Sequence, residues 1–149
     1  MPTAEEFMEN LNDALNRTAD EMEPTMVEAA LNAKALLSRR VHAEGFGRRY
    51  TSRAYVALRI KRGMQVRFVD LTFTGKMFQN WRLPGSYRED LKVGGYVGGT
   101  DDETKNKLKW NKSRYPEFDK LNDEEKSIIA ENLIKPRLLT ILNKNLYQK

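Results

Sequence analysis

Apolar positions recur at helical spacing over residues 4–42 and again toward the C-terminal end. Between them lies a stretch rich in β-branched, aromatic and glycine residues. Thr3-Ala4-Glu5-Glu6 has the form of a capping box, a threonine with a glutamate three positions on. Behind it Phe7, Met8, Leu11, Leu15 and Met22 keep helical spacing. Pro24 predicts an end or a kink there, because its ring removes a backbone donor. Thr25 with Glu28 offers a second capping pattern, and Met26, Ala29, Ala30, Ala33, Leu36, Leu37 and Val41 continue the stripe. The pattern therefore predicts two consecutive helices, or one bent helix, over 4–42, stopped by Gly45-Phe46-Gly47.

The period then changes. Residues 50–60 predict a loop leading into a strand, Lys61-Arg62-Gly63 a turn, and Gln65–Phe73 a strand by its β-branched and aromatic content. Lys76–Trp81 reads as a short helix or the start of a strand, Pro84-Gly85 as a turn, and Asp90–Thr100 as a strand containing glycine pairs. Asp101–Lys112 is a polar helix. Asn122 with Glu125 caps a final helix bearing Ile128, Ile129, Leu133, Ile134, Leu138, Leu139, Ile141, Leu142 and Leu146, with a kink or break expected at Pro136. The expected fold class is α+β, a small antiparallel sheet flanked by N-terminal and C-terminal helices. One domain over 1–149 is expected, helical over 4–42, with the sheet region at 50–100 and helices over 101–147.

Charge sharpens this outline. The net charge is +5, yet it is segregated along the chain. Residues 1–30 hold Glu5, Glu6, Glu9, Asp13, Asp20, Glu21, Glu23 and Glu28 against Arg17 alone. Residues 38–62 hold Arg39, Arg40, Arg48, Arg49, Arg53, Arg59, Lys61 and Arg62 against Glu44. Such segregation suits complementary contacts between adjacent copies, or an acidic helix packed near a basic hairpin of the same subunit. No cysteine is present, so disulfide and thiolate chemistry are excluded. No stretch approaches the roughly 18 apolar residues of a membrane span, and the acidic opening is no signal peptide. The expectation is a chain made in a cytoplasm.

The residues offer little for catalysis. His42 is the one histidine, and its neighbours Arg39, Arg40 and Glu44 mark a solvated helix end. Asp101-Asp102-Glu103 and Asp123-Glu124-Glu125 both fall where a helix begins, where negative side chains complement the helix dipole. Gly94-Gly95-Tyr96-Val97-Gly98-Gly99 lacks the lysine and hydroxyl of a phosphate loop, and reads instead as a bulge or a close approach by another backbone. No catalytic, cofactor or metal site is expected. The functional candidate is a basic surface of Arg48, Arg49, Arg53, Arg59, Lys61 and Arg62, facing DNA or an acidic neighbour.

The most specific stretch is Val69-Asp70-Leu71-Thr72-Phe73-Thr74-Gly75-Lys76-Met77. It resembles the "DLT-x-TG-x-M" signature of the tail-completion and virion-morphogenesis proteins of tailed bacteriophages. Other elements are similar in kind and order. They are Ala33-Lys34 in the helical region, Tyr50-Thr51-Ser52 with Tyr55, the glycine-rich strand Val93–Thr100, and Trp110-Asn111. Arg114–Leu121 followed by Asn122-Asp123-Glu124-Glu125 resembles that family's approach to its last helix. In outline the resemblance covers residues 33–146, and the chain departs from it in a final helix interrupted by Pro136.

The resemblance implies a structural virion protein and not an enzyme. It would form a ring of roughly six or twelve copies at the head–tail junction, between portal or adaptor and tail-tube proteins, with packaged DNA passing nearby. The alternative expectation is a non-specific nucleic-acid-binding module of a mobile element.

Overall fold

The computed structural model describes residue 1 and residues 3–147. The fold is α+β, with a long N-terminal helix, a two-stranded antiparallel sheet and C-terminal helices. In chain order the elements are α1 (Ala4–Glu44), α2 (Arg53–Lys61), α3 (Lys76–Asn80), β1 (Trp81–Glu89), β2 (Lys92–Gly99), α4 (Asp102–Arg114), α5 (Asp123–Ile129) and α6 (Lys135–Tyr147). A π turn, Ala130–Ile134, joins α5 to α6. No described helix is long and apolar enough to cross a membrane.

The chain divides into two compact units. One comprises Met1–Ala33, Leu83–Gly98 and Asn122–Lys149; the other comprises Lys34–Arg82 and Gly99–Leu121.

In the first unit α1 buries a stripe of small residues, Ala14, Thr18, Ala19, Thr25 and Ala29, around Met22. Small side chains let other backbones come close. Gly95 of β2 lies so near α1 that a Cβ on it would meet the Met26 carbonyl oxygen at 2.0 Å. The close approach expected of the glycine pairs is thus made by the chain's own helix. On the hairpin, Tyr96 covers Gly85 and Tyr87 covers Gly94, each ring occupying the space a side chain would fill. Arg88 bonds Asn16 and pairs with Asp20, while the Ser86 hydroxyl donates to Glu23. Helix α6 runs antiparallel to α1, with Arg137 on Glu28, Lys144 on Glu21 and the Asn145 amide on the Thr18 hydroxyl.

Two prolines are carried without the breaks their positions predict. Helix α1 continues through Pro24, which is exposed along with Asp20, so the carbonyl that loses its donor lies on a solvent-facing side. Ahead of Pro136 the helix widens, and the Lys135 N–H bonds the Ala130 carbonyl five residues back. Thus a π turn absorbs the proline in place of a break. The capping box at Asn122 and Glu125 forms as the sequence predicts, with the Glu125 N–H donating to Asn122 Oδ1 at 2.8 Å.

The second unit packs Leu37, Val41, Val69, Met77, Phe78, Trp81 and Phe118 into its core. Phe78 lies 6.1 Å from Trp81 and Trp81 lies 5.8 Å from Phe118, centroid to centroid. The sheet region expected over 50–100 is smaller than that, being confined to Trp81–Glu89 and Lys92–Gly99. Residues 53–61 are helical, begun by Ser52, whose side chain accepts from the Tyr55 N–H. Residues 65–73 form no strand. Leu71 adopts a left-handed φ of 54°, which no regular strand contains, and side chains instead of a neighbouring strand bind this segment's backbone. Pro84-Gly85 lies within β1 and makes no turn, since one side of a two-stranded sheet needs no donor from the chain.

Candidate functional site

The second unit is organised around one buried ion pair. Arg59 is fully buried, and its guanidinium meets Asp70 through Nη2, 3.0 Å from each carboxylate oxygen. Its remaining donors go to backbone carbonyls, Nε to Gln65 at 2.9 Å and Nη1 to Thr72 at 2.6 Å. The Tyr50 ring lies 4.5 Å from the guanidinium carbon. Asp70 in turn accepts from Gln65 Nε2 (2.6 Å), the Tyr50 hydroxyl (2.8 Å) and the Thr72 N–H (3.0 Å). Burial pushes the Asp70 carboxyl up. The bonds from Gln65, Thr72 and Tyr50, together with the Arg59 charge, outweigh it and hold the group below the usual carboxylate range. Burial, followed by the bond to Asp70, pushes the Tyr50 phenol above its ordinary value.

This bracket fixes the loop 64–75 as one wall of a half-open cleft of about 440 Å³. Tyr50, Tyr55, Leu71 and Phe73 contribute aromatic and aliphatic surface, and α4 supplies Trp110 opposite. Trp110 is 58% exposed, a large ring left uncovered. Arg114 brings positive charge to the lining, its guanidinium carbon 5.2 Å from the Trp110 ring, and Lys107 stands there paired with Glu103 of the same helix. Arg62 sits 4.4 Å over Phe73. Helix α4 is held in place by Asp101, which caps it through the Thr104 N–H (2.7 Å) and accepts from Asn80 Nδ2 (2.9 Å). Below, Asn111 Nδ2 reaches Met77 Sδ at 3.2 Å.

The expected basic surface is brought together only in part. Arg59 does not belong to it: its charge is spent inside the fold on Asp70 and on two loop carbonyls, and it is inaccessible to DNA or to a partner. Arg48 is exposed and pairs with Glu117 at 2.7 Å. That pairing, with the Glu117 N–H contributing next, holds the Glu117 carboxyl below its ordinary value. Arg49, Arg53, Lys61 and Arg62 are exposed. His42 lies exposed in the last turn of α1 with its ring 4.5 Å from Phe78. Among the described residues no group of three or more His, Cys, Asp or Glu side chains gathers as a metal site would.

Sequence reasoning missed the pairing of Arg59 with Asp70 and the cleft it supports. A signal was there to read. Arg59 stands in the otherwise apolar run Tyr55-Val56-Ala57-Leu58, and Asp70 follows Phe68-Val69, so each is a lone charge among residues that seek burial. Two such charges of opposite sign in adjacent elements are candidates for each other. No protein-family model, curated protein or solved structure matches this chain.

Proposed function

We propose that the chain is a structural virion protein. It would assemble as a homo-oligomeric ring at the head–tail junction of a tailed bacteriophage, as a tail-completion or terminator part, made in the bacterial host and carried in the virion. It is not an enzyme in this reading. One observation carries the reading. The stretches that resemble the family signature, Tyr50-Thr51-Ser52 with Tyr55, the 69–77 motif, Trp110-Asn111 and Arg114-Tyr115, supply nearly the whole lining of one cleft. A signature scattered along the chain is therefore one surface in space. That surface combines half-buried aromatic rings and the exposed Trp110 with positive charge, the composition of a contact site for another macromolecule. Portal or adaptor proteins and tail-tube proteins are the neighbours above and below, with packaged DNA passing the exposed arginines non-specifically.

The test is quantitative mass spectrometry of purified virions from the source lysate, scaled to the major capsid protein. A copy number of roughly six or twelve per particle is expected for a closed ring. Absence from clean virions refutes the reading. The exposed cations Arg48, Arg49, Arg53, Lys61 and Arg62 would then favour a non-specific nucleic-acid-binding module, recognised by binding that weakens steeply with salt.

A further inference from the structure

The cleft has a counterpart in composition at the other end of the charge pattern. The hydrogen bonds and ion pairs by which the hairpin and α6 reach α1 fall between Asn16 and Glu28. Ahead of them Phe7 is 57% exposed and Met8 is 60% exposed. Around these two side chains stand Glu5, Glu6, Glu9 and Asp13, and no cationic side chain occurs before Arg17. Two large apolar side chains amid uncompensated negative charge make a complement to an aromatic cleft lined by Lys107 and Arg114.

We propose that the first turns of α1 in one copy dock in the aromatic cleft of the next. Phe7 and Met8 enter beside Tyr55, Phe73 and Trp110, and Glu5 and Glu9 face Lys107 and Arg114. The proposal rests on the ring reading and supplies its contact. Helix tip and cleft are different surfaces, so the interface is heterologous, the kind whose repetition gives a ring when the rotation between copies closes. The cleft volume of about 440 Å³ suits two large side chains. Charge favours this occupant: the tip carries Glu5, Glu6, Glu9 and Asp13 with no cationic side chain before Arg17. The exposed Leu138 and Leu139 of α6, by contrast, stand near Lys135 and Arg137, and Leu83 of the hairpin stands beside Arg82.

Sedimentation velocity on the full chain tests the contact, with two exposed charge reversals. One variant carries Glu5→Lys and Glu9→Lys, which leave the Thr3–Glu6 cap intact. The other carries Lys107→Glu and Arg114→Glu. The wild-type chain is expected to associate with rising concentration, and each variant alone to associate roughly tenfold or more weakly. Mixed in equal amounts the two variants should regain association, because every tip then meets a cleft of opposite charge. Thermal melts of both variants check that the fold is kept. A third variant, Phe7→Ser with Met8→Ser, should lose association and gain nothing when mixed with the Glu5→Lys, Glu9→Lys variant.

Wild-type association retained by both reversals overturns the docking proposal while the ring reading stands. So does a wild-type chain that stays monomeric at every concentration yet is found at ring stoichiometry in virions. A monomeric chain that is absent from virions, and whose binding to a DNA duplex is lost with Lys107→Glu and Arg114→Glu, overturns both.

Discussion

Replacing Asp70 with asparagine changes one atom and one charge at the centre of the second unit. The carboxylate accepts from Arg59 on both oxygens, from Gln65 and Tyr50, and from the Thr72 N–H. An asparagine can keep Tyr50 and the Thr72 N–H on its carbonyl oxygen. Its amide then stands where the other oxygen stood and turns donors toward the donors of Gln65 and Arg59. Two charge-assisted hydrogen bonds are lost, each worth about 1.5–3 kcal/mol. Arg59, fully buried, is left without its counter-ion, and breaking a buried pair from one side costs about 3–5 kcal/mol. The two routes agree, so a loss of about 3–5 kcal/mol is expected. With a urea m-value in the usual range, that is a fall of about 2 M in the urea midpoint at unchanged m. For a chain of this length it is roughly 10 °C or more in Tm.

Urea titration followed by tryptophan fluorescence and by circular dichroism measures this change. A double-mutant cycle with Arg59→Met isolates the pair, and its two single losses should exceed the loss in the double variant. A loss below about 1 kcal/mol in Asp70→Asn would refute the argument, since that is the value of an exposed pair. As a control, Arg48→Ala breaks a solvated pair with Glu117 and should leave the midpoint nearly unmoved.

Three further outcomes follow from the same structure. Asp70 is held below its unfolded pKa of about 3.9, so its contribution is fully present above that value and lost as pH falls through the lower folded value. The wild-type urea midpoint should therefore drop more steeply than that of Asp70→Asn as pH is lowered below about 4. Gly95→Ala would place a Cβ against the Met26 carbonyl oxygen, and a loss of about 3 kcal/mol or more is expected by thermal denaturation. Asn122→Ala removes one half of the capping box on α5 and should cost about 1 kcal/mol, with amide exchange rising over residues 123–129.

What the sequence made legible was periodic or punctuated. The helical spacing over 4–42 and from Asn122 onward, the stop at Gly45, the acidic helix start at Asp101 and the cap at Asn122 are local signals, and the structure uses them locally. The segment 65–73 misled because β-branched and aromatic residues serve burial as readily as pairing. Val69 is fully buried, yet its N–H makes a single backbone bond, to the Arg48 carbonyl. The carbonyls of Gln65 and Phe68 are bound by the side chains of Arg59 and Gln65. Residues 53–61 misled for the related reason that tyrosine, valine and isoleucine suggest a strand, while the Ser52 cap and the packing of Arg59 make a helix. Neither Pro24 nor Pro136 ends the helical run it stands in, the first because it lies on a solvent-facing side and the second because a π turn precedes it, and neither circumstance leaves a mark in composition. The cleft was legible only as a set of separate motifs, because its lining comes from α2, the 64–75 loop and α4, and no local pattern announces such a meeting.

The conformation of Leu71 ties the buried pair to the cleft. A left-handed backbone at a leucine costs on the order of 1–3 kcal/mol and persists only where neighbours impose it. Here the constraint acts on the next residue along the chain. The Thr72 N–H is bound by Asp70, and the Thr72 carbonyl is bound by Arg59. With the next residue held at both its N–H and its carbonyl, Leu71 lines the cleft beside Phe73. A strand in this position would also have set Leu71 and Phe73 on one face, but would have turned Thr74 to the other. The irregular loop brings Thr74 to the cleft with them. Arg59 thus contributes no charge to the expected basic surface, and its bond to the Thr72 carbonyl instead helps to fix the wall of the cleft that Leu71 and Phe73 line.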